Sequence, residues 1–271
     1  MKVGGRILGV IVGLGLVSGT SAMADSLLFD RGLPTANLNN AAGPSRSNVA
    51  WADSENTNAP TNYYLPGDDF TLAGSGPYHI DDIRVWVVGG STLPTGLSLL
   101  GGVAGSSTMD SLSNTFNAAQ VHYSDGSDYQ GTSGTFHSLY QVDFSVNVDL
   151  NVGQTFDFFL NGPWTPSGSG YVNPFLHASN GPLSGSTQDG ADGQFLWLHV
   201  NNSSQDVETW YSSGTPVGTS PFSAGWDKNS DGNVQVFGVA TPLPPSLWGG
   251  LALLGLLAVT GGAKRFRRQL A

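Results

Sequence analysis

The chain of 271 residues contains no cysteine. That excludes disulfide staples, thiol nucleophiles and thiolate metal sites, so stability rests on core burial, with bound ions as the one supplement. Positive charge is nearly missing from residues 25–240. Arg31, Arg46, Arg84 and Lys228 stand there against all twenty acidic residues, four against twenty for a net −16. Such a surface repels nucleic acid and anionic lipid and stays dispersed by self-repulsion. Glutamate is scarce too: eighteen of the twenty acids are aspartate. Aspartate suits turns and calcium loops while glutamate suits helices, so the bias predicts a loop-rich β protein.

Familiar catalytic patterns are also missing. There is no Gly-x-Ser-x-Gly elbow, no His-Glu-x-x-His helix and no phosphate-binding Gly-Lys-Ser/Thr loop. His79, His122, His137, His177 and His199 are scattered, none at ligand spacing from another. His199 alternates with Phe195 and Trp197 and reads as a half-buried strand histidine. His122, beside Tyr123 and Asp125, reads as a strand-end histidine, with sugar orientation as the alternative. Asp68-Asp69 and Asp81-Asp82 are adjacent, so on a strand each pair points to opposite faces, as a turn or solvated rim would have it. Glu55 and Glu208 have no motif around them. The expectation is a protein that is not an enzyme, with a cell-surface glycoside hydrolase, which would need a paired acid and base, as the distant alternative.

What is present has a period of two. Over residues 140–150, Tyr140, Val142, Phe144, Val146, Val148 and Leu150 alternate with polar residues, one face apolar and one wet. Further strands are expected over 80–88, 119–123, 156–160, 195–200, 209–211 and 234–239, with shorter ones at 27–29, 49–52 and 70–72. Gly-, Ser-, Asn- and Pro-rich turns separate them, residues 37–60, 163–173 and 185–193 read as long loops, and no stretch of a dozen residues carries a helical stripe. Eight to eleven strands without helices predict a single all-β domain over residues 25–240, a jelly-roll-like β-sandwich.

Both ends of the chain differ from this body. Lys2 and Arg6 precede an apolar run over 7–17, and Ser21-Ala22-Met23-Ala24 gives a small-x-small cleavage pattern, so residues 1–24 read as a secretory signal peptide cut after Ala24. Residues 247–263 carry no charge and as a helix span about 25 Å, or about 31 Å counted from Leu243. Lys264, Arg265, Arg267 and Arg268 follow as a basic stop at the cytoplasmic surface. A plain single-pass anchor and a buried core helix are the alternatives.

The order of Pro242-Leu243-Pro244, then Trp248 in an apolar Gly/Leu-rich helix, then the terminal Arg cluster resembles the PEP-CTERM sorting signal of Gram-negative bacteria, in its Pro-Leu-Pro variant. Over residues 241–271, that resemblance implies an inner-membrane stage with the body outside the cytoplasm. An integral-membrane exosortase would then remove the tail and pass the protein to the cell surface, where extracellular polysaccharide and biofilm matrix are the implied surroundings. The opening Leu27-Leu28-Phe29-Asp30-Arg31-Gly32-Leu33-Pro34 also looks like the sandwich domains found ahead of such tails.

Two binding features remain. Asp227, Asn229 and Asp231 form Asp-x-Asn-x-Asp-Gly, the first half of a calcium loop. The twelfth position is Gly238 and no helices flank it, so it is not an EF-hand. Two readings stand: a β-hairpin site for Ca²⁺, the one candidate cofactor, or a plain turn entering the strand at 234. Trp164, Tyr171, Trp210 and Tyr211 fall in or beside expected loops, where rings stack on sugars, and make exopolysaccharide binding the alternative function. Trp86 and Trp197 are expected in the core. Together these features are expected of an exported, surface-sorted protein with a structural or interaction role in extracellular matrix or cell envelope.

Overall fold

The computed structural model describes residues 25–33, 49–51, 62–74, 76–93, 95–123, 126–130, 136–162, 174–177, 195–202, 204–210 and 231–241. Every regular element among them is a strand, and every pairing is antiparallel. Among the described residues no helix is long and apolar enough to cross a membrane. The expected signal peptide and terminal helix lie outside those residues.

One sheet holds β1 (Ser26–Asp30), β2 (Val49–Trp51), β4 (Tyr78–Gly89), β7 (Phe116–Val121), β8 (Tyr129–Gln130), β9 (Phe136–Leu150), β11 (Phe175–His177) and β14 (Val234–Ala240). Its spine is β4 against β9, with β14 and β11 end to end on the other edge of β4 and β1 outside β14. The second sheet holds β3 (Asn62–Thr71), β5 (Ser98–Val103), β6 (Asp110–Ser113), β10 (Thr155–Asn161), β12 (Phe195–Asn201) and β13 (Ser204–Trp210), in the order β13-β12-β3-β10-β5-β6. The chain changes sheets between β6 and β7 within Asn114 and Thr115. Ser113 Oγ braces that step, donating to Thr115 O at 2.9 Å and accepting Thr115 N–H at 3.1 Å.

The two sheets share an apolar core. Ile83, Val85 and Phe144 come from the first, Phe70, Leu99, Phe158 and Trp197 from the second. Burying each such side chain contributes about 1.5–3 kcal/mol. β9 follows its alternation: Tyr140, Val142, Phe144 and Leu150 are buried, while Ser145, Asn147 and Asp149 are exposed. On the wet face Arg84 of β4 meets Asp143 of β9 through Nε–Oδ1 at 2.5 Å and Nη2–Oδ2 at 3.2 Å. The second sheet is apolar on both faces at its centre, where Leu65, Phe159, Leu198, Val200 and Met109 form a further cluster.

The strand count is a correction: fourteen are described where eight to eleven were expected. β3 is the main extension, expected only at 70–72 and running over Asn62–Thr71. Its Pro66-Gly67-Asp68-Asp69 looks like a turn, yet Pro66 pairs with Trp197, and Gly67 pairs with Leu196 on one side and Phe159 on the other. A Cβ at Gly67 would run into the Phe158 carbonyl oxygen and the Phe159 ring, so glycine permits the close approach. Trp86 and Trp197 are each 3% exposed, in the core as expected.

Candidate functional site

After β1 the chain turns at Gly32, whose φ of 82° lies in the left-handed region open to glycine. The Gly32 N–H donates to Asp30 Oδ1 at 2.9 Å, and the Arg31 N–H donates to Val234 O at 3.0 Å. The Arg31 side chain is fully buried. Its Nη1 lies 2.7 Å from Asp68 Oδ1, and its Nη2 donates to Asp69 O at 2.6 Å, with Asp69 Oδ1 at 3.5 Å. The guanidinium also stands over the Phe29 ring at 5.3 Å.

The solvated-rim expectation is overturned for Asp68, which is 1% exposed, while Asp69 beside it is half-buried. Its Oδ1 accepts the Asp69 N–H at 2.7 Å and its Oδ2 accepts the Gly232 N–H. Asp231, equally buried, acts electrostatically on both Arg31 and Asp68. Burial alone would lower the Arg31 guanidinium, but Asp68, Asp231 and Asp69 more than offset it and hold it above its ordinary value. Asp68 is pushed up to about 7, first by burial and then by Asp231, against the pull of Arg31 and its two N–H donors. Physically, one buried cation faces two buried carboxylates, so full ionisation leaves excess negative charge in a dry place.

From Gly232 the network continues through Asn233. Its Nδ2 donates to Gly32 O at 2.8 Å, and its backbone N–H donates to His177 O at 3.0 Å. Asn233 Oδ1 lies 2.8 Å from His177 Nδ1, and His177 Nε2 lies 2.8 Å from the Tyr123 hydroxyl. With the amide oxygen accepting, Nδ1 carries a proton, and the Tyr123 hydroxyl shares a hydrogen bond with Nε2. The tripeptide Asp231-Gly232-Asn233 thus ties together the end of β1, the middle of β3, β11 and the residue pair after β7. Arg31 is what sequence reasoning missed. The signal was there: one of four cations in a body of twenty acids, set directly before a glycine.

The expected site residues divide clearly. Of the three expected calcium ligands only Asp231 is described, and the positive charge it faces is that of Arg31; Asp227 and Asn229 lie outside the described residues. Among those residues no group of three or more His, Asp or Glu side chains is arranged to hold a metal ion. Trp210 ends β13 opposite Phe195, while Trp164, Tyr171 and Tyr211 lie outside the described residues. So do Ala22, Ala24, Pro242, Leu243, Pro244, Lys264, Arg265, Arg267 and Arg268. His199 is half-buried, stacked on Tyr64 with ring centroids 4.3 Å apart. His122 is exposed just after β7, with its Nδ1 2.8 Å from Asp128 Oδ1. No protein-family profile matches the chain, and no curated protein matches it.

Proposed function

We propose that this is an exported β-sandwich protein, jelly-roll-like, released from a signal peptide at one end and from a PEP-CTERM-like tail at the other. Its role is structural or interactive, in the extracellular matrix or cell envelope, and its processing partner is an exosortase-like enzyme. One observation carries the reading. β1 begins two residues after Ala24, and β14 ends two residues before Pro242. These strands are antiparallel neighbours with Ser26 opposite Gly238, so both expected processing points leave the fold at the same rim. There Thr241 is fastened twice to Pro77 O, through its N–H at 2.9 Å and its hydroxyl at 2.7 Å. A protease acting just beyond Thr241 would cut next to a fixed strand end and leave the sheet whole.

Intact mass of the protein recovered from surface and membrane fractions of its host tests this. A species starting at Asp25 and ending between Thr241 and Pro245 is expected, with any added mass reporting the attachment. A mature species still ending at Ala271 would overturn tail removal and leave a membrane-anchored domain.

A further inference from the structure

The strand that changes sheets leaves an opening. β6 pairs with β5, and two residues later β7 pairs with β9. The β7–β9 ladder stops at Phe116 opposite Phe144, while β9 runs on to Leu150 against β4. Between the departing β6 and the end of β9 lies an open cleft of about 710 Å³. That is within the roughly 300–1,000 Å³ of ligand clefts.

The floor of the cleft is apolar, made of buried Phe156 with half-buried Leu112 and Val148. A Cβ at Gly101 would press on Leu112 Cδ1 and Phe156 Cε1, each at 2.8 Å, so the glycine lets these two side chains close over β5. The walls are polar: Ser106, Thr108, Asp110 and Ser111 on one side, Asn147 and Asp149 on the other, all exposed. No Lys or Arg is among the described lining residues. Arg31 and Arg84 are held elsewhere by Asp68 and Asp143. His79, which reaches Asp149 Oδ1 at 2.8 Å, is shared with Asp81 at 3.3 Å.

This lining selects among ligands. A phosphate, sulfate or uronate would meet two carboxylates without a cation. Among the described residues no group of three carboxylates or imidazoles is arranged there to hold a metal ion. A peptide strand added to the β9 edge would want apolar pockets for alternate side chains, and hydroxyls and carboxylates stand in their place. Vicinal hydroxyls fit: carboxylates and an amide hold them while C–H faces rest on the floor. We infer that the cleft between β6 and the end of β9 binds a neutral oligosaccharide segment. Asp110 and Asp149 accept its hydroxyls, Asn147 and Ser111 both donate and accept, and Leu112 and Val148 carry its C–H faces. This assignment stands apart from the sorting proposal and from the aromatic residues singled out in the sequence.

Calorimetric titration of the full chain in detergent micelles tests it. Cellohexaose, maltohexaose and isomaltohexaose serve as neutral probes, hexagalacturonate as the anionic probe and a Ser-Val repeat decapeptide as the strand probe. At least one neutral hexasaccharide should bind with Kd below about 1 mM. Ser111→Trp, which fills the cleft from an exposed position, and Asn147→Ala, which removes an amide without adding bulk, should each weaken binding about tenfold or more. Thr115→Ala, beyond the cleft, should leave it within about twofold, and melting curves of all three variants check that they fold. Absence of neutral binding at about 10 mM overturns the assignment, as does indifference to Ser111→Trp and Asn147→Ala. So does tighter binding of hexagalacturonate or the peptide.

Discussion

Aspartate and asparagine occur here in two opposite settings. At the junction of β1, β3 and β14, Asp68, Asp231 and Asn233 are at most 1% exposed, and Asp68 draws its contacts from Arg31, the Asp69 N–H and the Gly232 N–H. At the cleft, Asp110, Asn147 and Asp149 stand in solvent, the Asp149 side chain 82% exposed. The residue types are the same; what separates them is whether water has been removed. A carboxylate taken out of water must collect donors from its own chain, and every donor it collects fixes another segment of backbone. A wet carboxylate keeps its lone pairs for water or for a ligand. The first setting makes structure and the second leaves chemistry available.

The sharpest way to break that contrast is to remove the buried cation. Arg31→Met keeps length and apolar bulk but leaves Asp68 and Asp231 facing each other. Breaking a buried pair by deleting one partner costs about 3–5 kcal/mol. At about 2–4 °C per kcal/mol for a domain of this size, the melting temperature should fall by about 6–20 °C. Arg31→Met with Asp68→Leu should recover part of that loss, because one of the two stranded carboxylates goes with the cation while Asp231 stays. A single variant melting within about 2 °C of the parent would mean that this junction does not hold the sheets together.

Next in size is a dependence on pH. Asp68 is pushed up to about 7, and Asp157 up to about 6 by burial and then by Asp69, its cross-strand neighbour. Ordinary aspartate titrates near about 3.9. Both groups therefore bind a proton more tightly when folded. Their contribution is fully present below about pH 4 and is lost as pH rises through about 6 and about 7. That is opposite in sign to an ion-paired surface carboxylate. The melting temperature should fall by several degrees between pH 5 and pH 8, and Asp157→Asn should flatten the lower half of that curve. A melting temperature that rises over this range would show that these carboxylates are not proton-bound in the folded state.

The Asn233 clasp comes third. Asn233→Ala takes the acceptor from His177 Nδ1 and the donor from Gly32 O, both at 2.8 Å. Leaving such groups unmet in a dry place costs about 1–3 kcal/mol. Denaturant unfolding should show a lower midpoint with unchanged slope. Tyr123→Phe, which removes only the far end of the relay, should cost less.

How much of this could be read from sequence follows from the same physics. β9 was legible because one of its faces is wet, and alternation is what a half-buried strand writes into its residues. β3 was legible only at its end, because both its faces are covered at the centre and its Pro-Gly-Asp-Asp has the composition of a turn. The period-two signal gives way where neither face needs to be polar. Asp231-Gly232-Asn233 has loop chemistry, and uses that chemistry to receive Arg31 and His177 from distant strands. The cleft had no local signature, since it arises from a change of sheets at Asn114 and Thr115, two residues without special composition. Long-range partners chose the role in each case.

The smallest effect is expected at the cleft, and it completes the contrast. Asp149→Asn removes a charge of the same kind as that of Asp68, but from an exposed rim. Stability should change by no more than about 0.5 kcal/mol, within about 2 °C of melting temperature. The substitution should still register electrostatically. His79 is held above its ordinary value chiefly by its hydrogen bond to Asp149, with Asp81 adding to it and slight burial opposing it. A neutral amide can accept from Nδ1 but cannot favour the imidazolium in the same way, so the His79 titration followed by its ring-proton NMR shift should move down. Because that value is raised in the folded state, its contribution is present below the ordinary histidine range and is lost as pH rises. For an exposed pair that contribution is small. Should Asp149→Asn destabilise the fold as much as Arg31→Met, removal of water would not be what divides the two groups of aspartates, and the cleft would be a second structural junction rather than a place for a ligand.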